Sequence, residues 1–148
     1  LHTNDAPSSI NRLMNTGIEP FLVATSVHMI VAQRLVRRVC GSCKEPTEDP
    51  LGALINAGFS EKDAKTIRLF KGRGCDRCSN TGYKGRVGLY EVMEVGDEIR
   101  ELILSGASSV ELRTKAIETG MLSLRGSGLQ KIRDGVTTVE EVVRETVL

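Results

Sequence analysis

The 148 residues contain four cysteines in two pairs, Cys40 with Cys43 and Cys75 with Cys78, and each pair has a two-residue gap. Such a gap lets both thiolates of a tight turn point at one ion about 2.3 Å from each sulfur, and two such knuckles complete a tetrahedron. The 31 residues between the pairs exceed the usual spacing of a zinc ribbon, but the knuckles need only meet in space. A catalytic zinc keeps an open position and ordinarily recruits a His or a carboxylate. Four cysteines with no nearby His predict a closed, structural zinc site built from Cys40, Cys43, Cys75 and Cys78. Iron would fit the same soft ligands. The rival chemistries fit less well. Two disulfides need an oxidising compartment, and a redox pair needs only one of the two motifs. Gly41, Gly72 and Gly74 are expected to make the tight turns around the ion.

The segment holding the second pair is basic. Between positions 65 and 86 stand Lys65, Arg68, Lys71, Arg73, Arg77, Lys84 and Arg86 against the single carboxylate Asp76. From 91 to 111 the balance reverses, with six carboxylates against Arg100. Part of the positive charge offsets a zinc–tetrathiolate of formal charge about −2. The remainder is either a solvated face or a surface that meets an acidic one, within the chain or on a neighbouring subunit. A small zinc-dependent nucleic-acid-binding module is the alternative function that this charge raises. Against it, the net charge is only +1 and aromatics are 3%, too few for base stacking.

The surrounding sequence predicts elements to hold these groups. Pro7, behind Asp5, marks the start of a short helix that Gly17 closes. From Pro20, tolerated in a first turn, a long buried helix is expected to run to about Arg38, because apolar side chains fall on every side at helical spacing. Arg34, Arg37 and Arg38 would then sit where the helix dipole favours cations, and His28 would be a packing residue within it. LGALINAG and SEKDAK predict helical turns, and TIRLFKG and RVGLYEVMEV predict strands. Ser108 with Glu111 and Thr138 with Glu141 have the capping-box pattern, so helices are expected after each, with others over 96–104 and 123–134. The fold class expected is mainly α (α+β), with a tetracysteine insert carrying a short β-hairpin. The expected division is a first segment at 1–39, the insert with its following strand at 40–92, and a C-terminal helical bundle at 93–148. The stretch from Ile18 to Val36 is too polar for a membrane span, and with no secretory leader the chain reads as cytoplasmic. Its abrupt ends read as those of a piece of a longer polypeptide.

Three stretches, LHTNDAPSSINRLMNTGIEPFLVATSVHMIVAQRLVRRVC, GCDRCSNTGYKGRVGLYEV and SLRGSGLQKIRDGVTTVEEVVRET, closely resemble the C-terminal part of the type II secretion and type IV pilus extension ATPases. The resemblance covers essentially the whole chain. The cysteine knuckles favour the extension and secretion branch over the retraction ATPases, which lack them. The resemblance implies the helical C-terminal domain of a RecA-like hexameric ATPase at the cytoplasmic face of the inner membrane. That enzyme would turn ATP hydrolysis into polymerisation of pilins or pseudopilins, working with inner-membrane platform proteins and without nucleic acid. LHTND is similar to the family's His box, which would make His2 a γ-phosphate sensor. Gln33 and Arg34 would face the nucleotide region or the neighbouring domain. ATP and magnesium would serve the full-length parent only, since no G-x-x-x-x-G-K-[ST] loop occurs here. The chain alone is therefore expected not to hydrolyse ATP.

Overall fold

The computed structural model describes residues 3–148. The chain runs α1 (Ala6–Asn15), α2 (Pro20–Ser26), β1 (Met29–Val39), β2 (Lys44–Thr47), α3 (Leu51–Ala57), α4 (Glu61–Thr66), β3 (Leu69–Gly72), a single 3₁₀ turn (Asp76–Cys78), β4 (Tyr83–Glu94), α5 (Asp97–Leu104), α6 (Ser109–Glu118), α7 (Leu124–Arg133) and α8 (Val139–Glu145). Strand β1 pairs with β4, and β2 pairs with β3 in antiparallel register, Lys44 opposite Gly72 and Thr47 opposite Leu69. This is the α+β class that the sequence predicts.

The long helix does not form. Helix α2 ends at Ser26, Val27 turns extended, and the chain continues as β1. The physical reason lies in the side chains. Ile30, Val31, Val36 and Val39 are β-branched and prefer the pleated surface. Both faces of the strand are largely apolar, so no period of two shows in the sequence. It shows in the burial: Ala32 and Val36 are buried, while Met29, Val31, Gln33 and Leu35 are exposed. Arg34, Arg37 and Arg38 therefore lie on a strand, and no helix dipole acts on them. His28 is exposed in the connection before β1 and not packed in a helix; its carbonyl accepts from the Val95 amide at 2.9 Å.

Two compact units form, each from two stretches of chain: residues Leu1–Gln33 with Tyr90–Ser123, and Arg34–Leu89 with Leu124–Leu148. Helices α5 and α6 belong to the first unit and α7 and α8 to the second. In the first, α5 packs on α2, and α6 packs on α1 and α5, burying Ile10, Val23, Ile99, Ile103 and Leu112. The N-termini of α1 and α6 are capped by side chains. The Asp5 carboxylate accepts from the Ser8 amide at 2.8 Å, the buried Glu91 carboxylate accepts from Ala6 N–H at 2.9 Å, and Ser108 and Glu111 form the expected capping box. The acidic stretch after position 91 finds partners inside this unit, Asp97 with Arg100 and Glu98 with Lys115.

In the second unit, Leu54, Ala57, Phe59, Ala64, Leu69, Leu129, Ile132, Val139 and Val142 share one apolar cluster. The insert's helices α3 and α4 and the C-terminal helices α7 and α8 are thus one core. Arg125 of α7, 6% exposed, locks it by donating to the Thr146 hydroxyl at 2.6 Å, the Thr146 carbonyl at 2.9 Å and the Ala57 carbonyl at 2.9 Å. Burial pulls its pKa down, yet the guanidinium is spent on neutral acceptors. Gly128 lets α7 approach α8: a Cβ there would press into the stiff Val142 side chain and lie 3.3 Å from Leu89 Cδ1. Helix propensity favours Gly128→Ala by about 1 kcal/mol, but overpacking costs about 1–3 kcal/mol. The variant is expected to be less stable, with a lower urea midpoint; a raised midpoint would show that Val142 yields freely.

Candidate metal centre

The two knuckles are joined by backbone before any ion is considered. Cys40 N–H donates to the Gly82 carbonyl at 2.9 Å, and Arg73 N–H donates to the Cys43 carbonyl at 3.0 Å. The end of β3 and the second knuckle meet so closely that Gly72 and Gly82 exclude each other's Cβ; one at Gly82 would lie 2.5 Å from the Gly72 oxygen. Gly72 is therefore fixed by close approach and not by a turn. The turn residues are Gly74, at φ 100°, and Ser79 and Asn80, at φ 55° and 60°. Gly41 has neither constraint.

All four sulfurs lie within 4.8 Å of one another. Cys40 Sγ is 3.8 Å from Cys75 Sγ, Cys43 Sγ is 3.8 Å from Cys78 Sγ, and Cys75 Sγ is 3.7 Å from Cys78 Sγ. A tetrahedron with metal–sulfur bonds of about 2.3 Å has edges of about 3.8 Å, so the cage already has the right size. The same separations are far beyond a disulfide bond, and all four cysteines are free. Cys40, Cys43 and Cys78 are buried and Cys75 is half-buried.

Backbone amides prepare the sulfurs for negative charge. Gly74 N–H donates to Cys43 Sγ at 3.3 Å, and Cys75 N–H and Gly82 N–H donate to Cys78 Sγ at 3.2 and 3.3 Å. Burial pushes the Cys78 thiol up, but these two amides and the neighbouring thiols outweigh it and hold it down to about 6. The Ser42 amide lowers Cys40. Burial dominates at Cys43, which is pushed up to about 11. Cys78 is therefore favoured as the thiolate, and a cation bound by the four sulfurs would favour deprotonation of the others. The four thiols could hold a soft, tetrahedral metal ion as a closed site.

Of the other expected site residues, Gln33 and Arg34 are neighbours on β1. Gln33 is exposed on β1 and donates to the Tyr90 hydroxyl at 3.1 Å. Arg34, next along the strand, is half-buried. His2 lies outside the described residues.

Sequence reasoning missed two parts of this region. Glycines 74 and 82 act through their amides as well as their conformation, signalled only by their fixed offsets, one before Cys75 and four after Cys78. The other is Glu141, whose partner is remote. Its carboxylate, 1% exposed, accepts from the Arg37 amide at 2.8 Å, from Arg37 Nε and Nη2 at 2.9 and 2.7 Å, and from Arg144 Nη2 at 2.6 Å. The Thr138 hydroxyl caps the Glu141 amide as expected, but the reciprocal half of the capping box is surrendered to the arginines.

Comparison with known proteins gives a consistent picture. Residues 1–144 match the family described as type II/IV secretion system protein. The chain is 52% identical over 147 residues to the type IV pilus assembly ATPase PilB of Myxococcus xanthus, covering 99% of this chain and 26% of that protein. It is 45% identical to the protein of the same name from Thermus thermophilus, covering 99% of this chain and 16% of that protein. To the type II secretion system ATPase E of Vibrio cholerae it is 42% identical, over 99% of this chain and 28% of that protein. The chain thus spans roughly a sixth to a quarter of the length of these relatives.

Proposed function

Because the chain belongs to the type II/IV secretion system protein family, we propose that it is the C-terminal part of a hexameric ATPase that powers assembly of a type IV pilus or a type II secretion pseudopilus. The observation that carries this reading is the alignment of 99% of the chain with ATPases so named, at up to 52% identity among the relatives cited. In this proposal Cys40, Cys43, Cys75 and Cys78 hold a structural zinc, which supplies no chemistry beyond cross-linking the two knuckles. The earlier division is kept as one of roles: an edge of the ATPase core at 1–39, the tetracysteine insert at 40–92, and C-terminal helices at 93–148. His2 would sense the γ-phosphate, with Gln33 and Arg34 toward the nucleotide region or the neighbouring domain. The partners are further copies of the parent and inner-membrane platform proteins, with nucleic acid not among them. The parent would work in the cytoplasm at that membrane. Among the described residues no helix is long and apolar enough to cross a membrane, which agrees with attachment through partners.

A chimaera tests this. The Myxococcus xanthus relative, with its matching 147 residues replaced by this chain, is expected to restore pili to a strain lacking the native protein. A chimaera that is folded and hexameric yet assembles no pili would refute the role. The chain by itself is expected to show no ATP turnover, because no P-loop lysine is present to hold the phosphates. Turnover that disappears on His2→Ala would contradict the assignment of inactivity.

A further inference from the structure

Beside the first knuckle lies a cleft of about 250 Å³ lined by Arg38, Cys40, Ser42, Lys44, Lys84 and Gly135, among others. Its three cations come from three separate elements: the end of β1, the start of β2 and the start of β4. No carboxylate lines it. Among the described residues none of the three cations is paired with a carboxylate, whereas Arg37, one residue from Arg38, is held by Glu141.

We propose that this cleft binds a phosphate-bearing anion. Two of the cations are already positioned. Lys44 Nζ stands 4.6 Å from the centre of the Phe70 ring, and Lys84 Nζ donates to the Arg77 carbonyl at 2.9 Å. Gly135, which carries no Cβ, leaves room for Lys44: a Cβ there would lie 2.9 Å from Nζ. Side chains held in this way lose less rotamer freedom when a ligand arrives. Lysines supply point charge, Arg38 a planar fork that matches phosphate oxygens, and the Ser42 hydroxyl a further donor. Compensation of the metal centre does not use up this charge. Seven cations stand against one carboxylate between 65 and 86, so that segment stays positive after a tetrathiolate of formal charge about −2 is subtracted. Arg38 and Lys44 lie outside the segment and line the cleft, whereas the neighbouring carboxylates Glu45, Glu48 and Asp49 are not among its lining residues. The phosphate could belong to a soluble molecule or to a lipid headgroup, and the chemistry of the cleft suits both.

The test uses the zinc-loaded full chain at low ionic strength, with two probes. Inorganic pyrophosphate is titrated calorimetrically. Vesicles of phosphatidylglycerol in phosphatidylcholine are assayed by co-sedimentation against phosphatidylcholine alone. Saturable binding to at least one probe is expected, weakened at least tenfold in the triple variant Arg38→Gln, Lys44→Gln, Lys84→Gln and unchanged in Lys62→Gln, which removes an exposed cation of α4. Binding of pyrophosphate alone assigns a soluble phosphate, and binding of anionic vesicles alone assigns a headgroup; either supports the site. The proposal fails if neither probe saturates, if the folded triple variant binds like the parent chain, or if Lys62→Gln weakens binding equally. The last result would mean diffuse surface charge and no site. Circular dichroism and zinc content of each variant establish that the fold and the metal cage are intact.

Discussion

Stripping zinc from the proposed site with a chelator is expected to abolish amide-exchange protection in the two knuckles and the β2–β3 ladder, while α1, α2, α5 and α6 remain protected. The knuckle region has no apolar core of its own. Its buried cluster consists of Cys40, Cys43 and Cys78, with Cys75 packed against them. Around these sulfurs the backbone adopts left-handed conformations, which Gly74 and Gly82 take up without steric cost but which cost conformational energy at Ser79 and Asn80. Structural zinc in small peptides binds with an apparent free energy on the order of 10–16 kcal/mol. A whole domain is stable by only about 5–15 kcal/mol. Metal loss therefore outweighs every other local contribution here.

The apolar cluster shared by α3, α4, α7 and α8 contains no sulfur and is expected to persist in the apo protein. The predicted outcome is a graded one: full loss of protection at 40–47 and 69–83, partial loss in α3 and α4, little change in α7. Cys43→Ser and Cys75→Ser are each expected to reproduce it without chelator. Exchange by mass spectrometry, with zinc content measured on the same samples, checks this. Unaltered protection after complete metal removal would mean that the knuckles are held by their backbone bonds alone. Intact mass showing two cystines would remove the metal from the account.

What the sequence reveals here depends on range. The capping box at Ser108 and Glu111 spans three residues, so its chemistry is complete on the page, and the structure has it. The cysteine pairs are legible for the same reason within each knuckle, and the knuckles' meeting follows from the demand of one ion for four ligands. Strand β1 was opaque because an apolar run with both faces apolar has no period to read. Its β-branched content was the usable signal. Strand β2 carries Pro46 and two charges in four residues, and nothing local makes it a strand; it exists because β3 lies across from it. The interleaving of chain segments in both units is of the same kind. Helix spacing shows which face of α7 is apolar, but not that the face meets Leu54 and Phe59, far back in the sequence. Arg125 is the extreme case, since an arginine on an amphipathic helix ordinarily faces water.

These non-local links also decide which stretch depends on which. The insert is not an appendage clipped onto a helical domain. The insert supplies Leu54, Ala57, Phe59, Ala64 and Leu69 to the apolar cluster it shares with α7 and α8, the Arg125 fork ties the end of α3 to the residue after α8, and Val39 N–H donates to the Val136 carbonyl at 2.8 Å. On β1 the link to the C-terminal helices is the Arg37–Glu141 pair, whose carboxylate is buried.

Glu141→Ala is accordingly expected to cost about 3 kcal/mol, at the lower edge of the range for breaking a buried ion pair. The cost is moderated because Arg37 and Arg144 are 39% and 51% exposed and can turn to water. The Arg37 amide has no such freedom and loses its acceptor. Glu141→Gln preserves the shape and some of the bonds and is expected to cost about half as much. The pH dependence isolates the charge. Burial alone would raise the Glu141 pKa, but the hydrogen bonds from the Arg37 side chain and amide, with the charges of Arg37 and Arg144, together hold it below the ordinary carboxylate value. A depressed folded-state pKa means that the unfolded chain binds the proton more readily. The stabilisation is then complete above the unfolded value near about 4.3 and is lost as pH falls through the lower folded value. The stability gap between the parent chain and Glu141→Gln, read from urea midpoints, should be constant from neutral pH to about 5 and shrink only in more acid solution. Any metal held by the four thiols would be lost in acid from both proteins alike, so that process would cancel in the difference. A gap that is unchanged down to the lowest pH at which both still fold would show that Glu141 acts by shape and hydrogen bonding, with its charge irrelevant.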